Sequence, residues 1–234
     1  MNANFVLEEL LSMKNQEKAE FLRRFFKTGK GQYGEGDILL GLTVPMVRDI
    51  VRRCSPLPLI EIRKLVHSKY HEVRLAGLLL LCKQFKKAPP TTQQQIYDFY
   101  LENARCANNW DLVDVTCRDV IGAYLLDKTD RSILRQLADS DNLWEQRIAI
   151  VSTWTFIKYG QFDDTLALSK QLMHHPHDLI HKAVGWMLRE VGKKDKIVHW
   201  EFLETYATQL PRTALRYAIE HFAPEDRQYF MQMK

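Results

Sequence analysis

A tryptophan and two carboxylates open one apolar helical pattern, in the segment Asn108-Asn109-Trp110-Asp111-Leu112-Val113-Asp114. Asp111 and Asp114 are three residues apart, so they lie on neighbouring parts of one helix face. Such a pair could serve general acid–base chemistry. Carboxylates in a first turn also suit the positive end of the helix dipole, with Asn108 or Asn109 as the N-cap. Whether these carboxylates perform chemistry or only stabilise a helix start depends on which residues the rest of the chain places around Asp114.

The composition permits a large core and a nucleic-acid partner. The chain has 234 residues, of which 46% are hydrophobic, and its formal net charge is +4. Mild basicity is compatible with nucleic-acid binding but does not require it. No apolar run reaches the roughly 18 residues of a membrane span, and the N-terminus lacks a signal-peptide layout. Four scattered cysteines without a CxxC pair indicate a reducing compartment, so we expect a cytoplasmic protein with no membrane partner.

Apolar residues recur at helical spacing along almost the whole chain, and alternating β-branched runs are absent. This pattern predicts an all-α protein. Two N-terminal helices are expected within residues 5–11 and 19–26, and another begins near Thr43 with Pro45 in its first turn. The glycine-rich segment 28–37 has neither the GK[ST] ending of a P-loop nor a preceding strand, so it is predicted to be a plain flexible loop.

The chain also shows self-similarity, because apolar helical segments begin at intervals of roughly 35 residues, each after another amphipathic helix and a polar turn. The segments begin at Glu72, Asp111, Glu145, Ile180 and Pro211. Two helices per unit without strands are typical of a HEAT-like repeat α-solenoid of stacked antiparallel helical hairpins. A single array would account for residues 1–234 as one domain.

Cations recur near the start of these helices, at Arg74, Arg147, Lys182 and Arg212. A cation near a helix N-terminus opposes the dipole, so its recurrence needs another reason. Along the concave wall of a solenoid these positions would form a cationic stripe that suits a DNA backbone. The same stacking would bring Trp110 and Asp114 close to Arg147 and Trp186. The alternative is a set of ordinary, partly exposed helix cations.

Four ordered motifs follow one another between Glu17 and the C-terminal region. They are Leu40-Gly41-Leu42-Thr43-Val44-Pro45-x-x-Arg48, Trp110-Asp111-x-x-Asp114, Trp144-x-x-Arg147-x-Ala149-Ile150 and His181-Lys182-Ala183-Val184-Gly185-Trp186-x-x-Arg189-Glu190. With these motifs the chain resembles the HEAT-like repeat DNA glycosylases of the AlkD type, which excise alkylated purines in base-excision repair. The other tryptophans, Trp144, Trp154 and Trp200, are expected to be structural.

The resemblance implies a role for each matching position. Asp114 would be the catalytic residue, Trp110 and Trp186 would flank the damaged nucleotide, and Arg147 would bind the DNA backbone there. Further backbone contacts are expected at Phe25, Lys27, Arg48, Arg74, Lys182, Arg189 and Arg212. The resemblance also implies a monomer that needs no cofactor or metal and does not flip the base. Its partner would be double-stranded DNA that contains alkylated purines. In a bacterium the protein would therefore be associated with the nucleoid.

The chemistry of this substrate class needs only one carboxylate. A purine alkylated at N3 or N7 carries a positive charge and is already a good leaving group, so no general acid is required. Positive charge then develops on deoxyribose C1′, which a carboxylate stabilises while it orients a water. In this interpretation Asp114 performs the chemistry, whereas Asp111 remains a first-turn residue satisfied by backbone amides.

The chain departs from the family pattern in three places. Phe25 stands where the family has a tyrosine facing the DNA, so the hydroxyl is missing. The loop of residues 28–37 is longer than the family's connection. Asp178 and Leu179 replace an aromatic pair, which removes stacking surface and adds a negative charge. These differences bear on the range of substrates more than on the reaction.

Two other kinds of site are weakly indicated, and one rival function stays open. A histidine cluster lies at His174, His175, His177 and His181, but it lacks the glutamate of HExxH and a third ligand. Cys117 lies in an apolar helix with no histidine at a telling spacing. The rival function is a non-catalytic HEAT-repeat protein that binds DNA structures or a protein partner.

Overall fold

The computed structural model describes residues 1–233, and its regular secondary structure in that range is helical. The β-type pairing in it is an isolated bridge between Ile38 and Tyr70. The prediction of an all-α fold is therefore confirmed. The helices are α1 (Ala3–Ser12), α2 (Gln16–Phe25), α3 (Val44–Arg53), α4 (Leu59–Val66), α5 (His71–Phe85), α6 (Pro90–Glu102), α7 (Trp110–Asp114), α8 (Ala123–Leu125), α9 (Ser132–Ala138), α10 (Leu143–Ser152), α11 (Trp154–Lys158), α12 (Asp163–Leu172), α13 (Asp178–Lys194), α14 (Lys196–Tyr206), α15 (Arg212–Ala218) and α16 (Pro224–Gln232).

The chain divides into two compact units, an N-terminal unit of Met1–Val120 and a C-terminal unit of Ile121–Lys234. In the N-terminal unit α5 is the central helix, and α1, α3, α4, α6 and α7 contact it. Its sequence is apolar without interruption from Leu75 to Cys82, and 13 of its 15 residues are buried, so it is covered on all faces. Gly77 allows α4 to approach closely, because a Cβ there would lie 2.8 Å from Val66 Cγ1.

The C-terminal unit is organised around α13, which contacts α10, α11, α12, α14 and α15. The backbones of α13 and α15 approach closely, since a Cβ at Gly185 would lie 2.3 Å from the Ala214 carbonyl oxygen. This contact gives a packing reason for a glycine next to Trp186. In residues 1–233 no helix is long and apolar enough to cross a membrane.

The segment before α3 is held by a buried carboxylate on α5. Glu72 accepts hydrogen bonds from the backbone N–H groups of Leu40, Gly41 and Leu42 at 2.8, 2.9 and 3.1 Å. Gly41 has φ +85°, and a Cβ there would lie 2.2 Å from the Asn15 carbonyl oxygen, so only glycine fits. Thr43 is the N-cap of α3, as predicted, although its side chain makes no capping hydrogen bond.

One predicted helix is interrupted. The pattern from Asp111 to Leu126 reads as one apolar helix, but α7 ends at Asp114 and a π-helical segment follows at Arg118–Gly122. Thr116 explains the break, because its hydroxyl bonds to the Leu112 carbonyl oxygen and lies 2.9 Å from the Tyr100 hydroxyl. Asp114 therefore lies at a helix end. The solenoid arrangement and the single domain stay predictions.

Candidate active site

The structure decides which asparagine caps α7. The Asn109 side chain accepts a hydrogen bond from the Trp110 N–H at 2.9 Å and is fully buried. Asn108 has a different partner, since its Nδ2 donates to Asp37 Oδ1 at 3.1 Å. The cap therefore fixes the backbone that carries Trp110, whereas Asn108 ties the same segment to the end of the loop 28–37.

The Trp110 ring is half-buried and lies against two phenylalanines at the end of α2. Its centroid is 5.6 Å from that of Phe25, edge-on at 74°, and 5.5 Å from that of Phe26, tilted at 32°. Phe26 is buried with Ala19 and Leu39, whereas Phe25 is 52% exposed. Aromatic pairs at these distances are attractive, so one side of the indole is fixed by protein.

A buried ionic cluster lies beneath α7. The His71 ring bridges two carboxylates, with Nδ1 3.0 Å from Asp37 Oδ2 and Nε2 2.9 Å from Asp111 Oδ2. Arg74 Nη2 donates to Asp37 Oδ1 at 2.5 Å, and its Nη1 donates to the Ser68 carbonyl at 2.9 Å. The prediction that backbone amides satisfy Asp111 is wrong, because its partner is His71 on α5.

The cluster keeps His71 protonated. Burial alone would lower the pKa of His71, but hydrogen bonds and charges from Asp111 and Asp37 outweigh it and raise the pKa to about 9. For Asp37, burial raises the pKa, and His71, Arg74 and Asn108 together lower it further than burial raises it. Both ring nitrogens of His71 therefore donate, and two cations face two carboxylates inside the N-terminal unit.

Asp114 is placed differently from Asp111. It follows Trp110 by four residues, so the two side chains share one face of α7. Asp114 is half-buried, whereas Asp111 is 5% exposed and bound to His71. The structure thus separates a buried carboxylate that anchors α7 from a half-buried one on the same helix face as Trp110.

The predicted residues of the C-terminal unit lie on α10 and α13. Arg147 is 5% exposed, and its Nη1 donates to the Leu179 carbonyl oxygen at 2.5 Å. Lys182 Nζ lies 2.8 Å from Asp178 Oδ2, and this ion pair lowers the pKa of Asp178. The pair also offsets the negative charge that Asp178 adds relative to the family pattern. Trp186 is half-buried on α13. That Asp114 faces Arg147 and Trp186 stays a prediction.

Two cations of the predicted stripe are buried, and DNA contact by the stripe stays a prediction. Arg74 is 6% exposed because it is paired with Asp37, and Arg147 is 5% exposed. Arg189 is also largely covered, with 18% of its side chain exposed and an ion pair to Glu220. The other cations predicted to contact the backbone are at least partly exposed: Lys27, Arg48, Lys182 and Arg212.

The histidine cluster is used within the protein. His177 caps α13 by accepting from the Leu179 N–H at 3.1 Å, and burial lowers its pKa. His175 Nε2 lies 2.9 Å from Gln146 Oε1, and the His181 ring bonds to the His175 carbonyl oxygen. Among residues 1–233, no three or more His, Cys, Asp or Glu side chains are grouped so that they could hold a metal ion.

Sequence reasoning missed three residues that position α7: Asp37, His71 and Phe26. Asp37 ends the glycine-rich loop, where a short polar residue reads as part of a turn. His71 precedes the apolar pattern of α5 by one residue, so the periodicity begins after it. Position was a signal for two of them, since Phe26 directly follows α2 and His71 begins α5, whereas Asp37 lies within the connection between α2 and α3.

The family model described as DNA alkylation repair enzyme matches residues 6–222. The chain belongs to this family. Membership of the DNA alkylation repair enzymes extends over both compact units, so neither is a separate addition. No curated protein matches the chain.

A solved structure, titled a predicted DNA alkylation repair enzyme from Enterococcus faecalis, has a similar fold. The two chains are 18% identical with a TM-score of 0.71, and the match covers 91% of this chain and 98% of the other. At this identity the likeness concerns the fold alone.

Proposed function

We propose that this DNA alkylation repair enzyme is a monofunctional glycosylase that hydrolyses the N-glycosidic bond of cationic alkylated purines, such as 3-methyladenine and 7-methylguanine, in duplex DNA. The observation that carries the proposal is the pairing of half-buried Asp114 with Trp110 on one face of α7. In a repair enzyme for alkylated DNA, this pairing offers a negative charge and an aromatic face to a cationic nucleotide.

Asp114 would act on the sugar. As the bond to the charged purine breaks, positive charge develops on C1′, and a carboxylate nearby stabilises it while orienting the attacking water. At an effective dielectric of about 20, a unit charge about 4 Å away contributes roughly 4 kcal/mol. This corresponds to about three orders of magnitude in rate.

Trp110 would favour the cationic lesion over an ordinary base. A cation over an indole face gains about 0.5–2 kcal/mol, and normal purines carry no such charge. The contacts of Trp110 with Phe25 and Phe26 support this role, because a ring that is already held loses little freedom on binding. The leaving group is activated by its own charge, so the enzyme need not flip the base into a pocket.

DNA binding would rest on the cations that the structure leaves accessible. Lys27 and Arg48 belong to the N-terminal unit, and Lys182 and Arg212 to the C-terminal unit. Lys27 has φ +54°, an uncommon conformation for a residue with a side chain, and its carbonyl accepts from the Gly34 N–H at 3.0 Å. Lys27 therefore presents its ammonium group where α2 turns into the glycine-rich loop.

The test is a product assay. Duplex DNA methylated at purines is incubated with the protein, and the released bases are identified by chromatography alongside heat-denatured protein and an unmethylated duplex. We expect release of 3-methyladenine and 7-methylguanine above spontaneous loss, leaving unbroken strands with abasic sites. Salt-sensitive DNA binding without any release would contradict the proposal and favour a non-catalytic DNA-binding protein.

A further inference from the structure

Two phenylalanines one turn apart on α2 are left uncovered by the fold. Phe21 is 71% exposed and Phe25 is 52% exposed. Among the large hydrophobic side chains of residues 1–233, only Ile197 is as exposed as Phe21. The two rings lie on one face of the helix, since residues four apart are neighbours there. The proposed reaction uses Trp110 beside Phe25 but gives Phe21 no role.

The exposure of Phe21 does not come from a loosely held helix. On the other side of α2, Ala19 and Phe26 are buried and Leu22 packs against them. The helix is also capped at its start, where the Asn15 side chain accepts from the Lys18 N–H at 2.9 Å. The helix therefore has one apolar side in the core and a second in water. Because an apolar ring gains free energy by leaving water, the second side suits a binding surface.

The exposed rings continue into the proposed site. Phe25 lies with its centroid 5.6 Å from that of Trp110, which shares one face of α7 with Asp114. Phe21 is one turn further along α2, about 6 Å from Phe25 at the rise of an α-helix. We call Phe21, Phe25 and Trp110 the aromatic strip. It spans about 12 Å, which corresponds to about three nucleotides of a DNA strand.

The charges next to Phe21 are mainly positive. Its neighbours one turn away on the helix are Glu17, Lys18, Arg24 and Phe25. Lys18 and Arg24 form no ion pair within residues 1–233, and both are exposed. An apolar ring between two unpaired cations is suited to a partner that is anionic and also has apolar surface.

A basic cleft of about 510 Å³ lies beside Arg24, at the end of α2 and the start of the loop 28–37. Arg23, Arg24 and Lys27 are the cations of its lining, and Glu20 is its carboxylate. Glu20 is paired with Arg23 at 3.3 Å, so Arg24 and Lys27 are left to attract an anion. The end of α2 thus has a cationic side and an aromatic side. A DNA strand has the matching pair of surfaces, because it carries phosphates next to the apolar faces of its sugars.

We propose that Phe21 is a further DNA contact, whose ring packs against a deoxyribose near the nucleotide at Trp110 while Arg24 and Lys27 attract the adjacent phosphate. This inference rests on the proposed function, because it takes Trp110 as the place of the damaged nucleotide. A second copy of the chain fits the strip less well than DNA does. Two copies meeting at α2 would bring Lys18 and Arg24 of each close to like charges of the other.

The test is the affinity of the full-length protein for an undamaged DNA duplex, measured by fluorescence anisotropy at several salt concentrations. Phe21→Ala removes the ring but leaves every cation in place. It should weaken binding about ten-fold, as expected for an aromatic side chain that packs on nucleic acid. The slope of log affinity against log salt should stay as in the wild type, because an apolar contact releases no counterions.

Two variants bracket this result. Ile60→Ala is the matched control, since Ile60 is 63% exposed on α4 of the same unit, and it should bind as the wild type does. Arg24→Gln should lower the salt slope by about one, because Arg24 is assigned to a phosphate. Phe21 and Ile60 are both exposed, so neither variant loses core packing, and melting temperatures verify that both are folded.

Two results would overturn the proposal. One is Phe21→Ala binding DNA as tightly as Ile60→Ala at every salt concentration. The other is a wild-type dimer in sedimentation velocity that Phe21→Ala converts to a monomer, because the strip would then belong to an interface between copies. Neither measurement involves excision, so a protein that binds DNA through Phe21 but releases no base would contradict the glycosylase proposal and leave this contact standing.

Discussion

Two histidines of this protein are each 1% exposed, yet they have opposite charge states. His71 in the N-terminal unit lies between Asp37 and Asp111, and its pKa is raised to about 9. His199 in the C-terminal unit has no hydrogen-bond partner in residues 1–233, and burial lowers its pKa to about 4. Burial is the largest influence on both and acts in the same direction. The carboxylates around the ring therefore decide whether a buried histidine is a cation.

The comparison also separates two uses of a buried polar group. His71 joins α5, the loop 28–37 and α7, so its bonds are satisfied by the protein and fix the helix that carries Asp114. His199 lies beside a cavity, and neither of its ring nitrogens has a hydrogen-bond partner within residues 1–233. A satisfied cluster stabilises the fold and anchors a helix, whereas a buried ring without hydrogen bonds costs stability.

The largest expected difference concerns stability. His71→Leu leaves Asp37 and Asp111 buried without their shared cation, and breaking such a buried pair costs about 3–5 kcal/mol. His199→Leu removes an unsatisfied polar group, so its free energy of unfolding should be unchanged or higher by about 1 kcal/mol. Urea unfolding of both variants, with exposed His174→Leu as the control, measures the difference. Equal losses in the free energy of unfolding for His71→Leu and His199→Leu would contradict the view that only His71 stabilises the fold.

The pH dependence of stability should show two separate limbs. The folded pKa of His71, about 9, exceeds the unfolded value of 6.5, so its contribution is complete below pH 6.5 and is lost as the pH rises to 9. The folded pKa of His199, about 4, is below 6.5, so stability is lost as the pH falls from 6.5 to 4. Each limb amounts to roughly 3 kcal/mol.

Melting temperatures measured from pH 4 to 9.5 check these limbs in the wild-type protein. The alkaline limb should vanish in His71→Asn, which cannot be protonated in this range, and the acid limb should vanish in His199→Leu. An alkaline limb that survives in His71→Asn would mean that another group causes it.

A smaller effect is expected when one carboxylate of the cluster is neutralised. Asp111→Asn keeps the shape of the side chain but weakens the tie between α7 and His71, and a small misplacement of Trp110 and Asp114 should slow excision on the order of ten-fold. Asp119→Asn is the matched control, because Asp119 is paired with Lys86 at 3.4 Å and is more exposed. Single-turnover rates at saturating protein separate the two variants. Equal rates would show that the cluster does not position α7.

The smallest effect should come from an exposed charge. Arg48→Gln is expected to weaken DNA binding and to lower the slope of log affinity against log salt by about one. Arg52→Gln serves as the control, since Arg52 is also exposed on α3 but is paired with Asp49. Binding isotherms at several salt concentrations measure the slope. An unchanged slope for Arg48→Gln would mean that Arg48 does not contact phosphate.

The apolar periodicity of the sequence was sufficient to predict the helices but not the residues at which they end. The apolar spacing predicted α5, α10 and α13, since burial of a helical face depends on nearby residues. The break after Asp114 depends on the Thr116 hydroxyl reaching Leu112 and Tyr100. Threonine within an apolar helix gives no sign of that bond in the sequence.

The sequence also pointed to Trp110 and Asp114 as candidate site residues, but not to the residues that hold the helix carrying them. Asp37 and His71 are 34 positions apart, and His71 and Asp111 are 40 apart, so no local pattern connects them. The same limit applies to Arg74, because the sequence gives no sign that Asp37 lies beside it and buries it. Charges are predictable from sequence, but their partners are a property of the fold.

The proposed catalytic role of Asp114 is tested most directly by a single-turnover comparison of Asp114→Asn with the wild-type protein. Excision of 7-methylguanine is timed with protein in excess over a methylated duplex, at concentrations where both proteins bind all of the DNA. We predict that Asp114→Asn binds as the wild type does and excises about 10²–10³-fold more slowly. Excision at the wild-type rate would contradict the account.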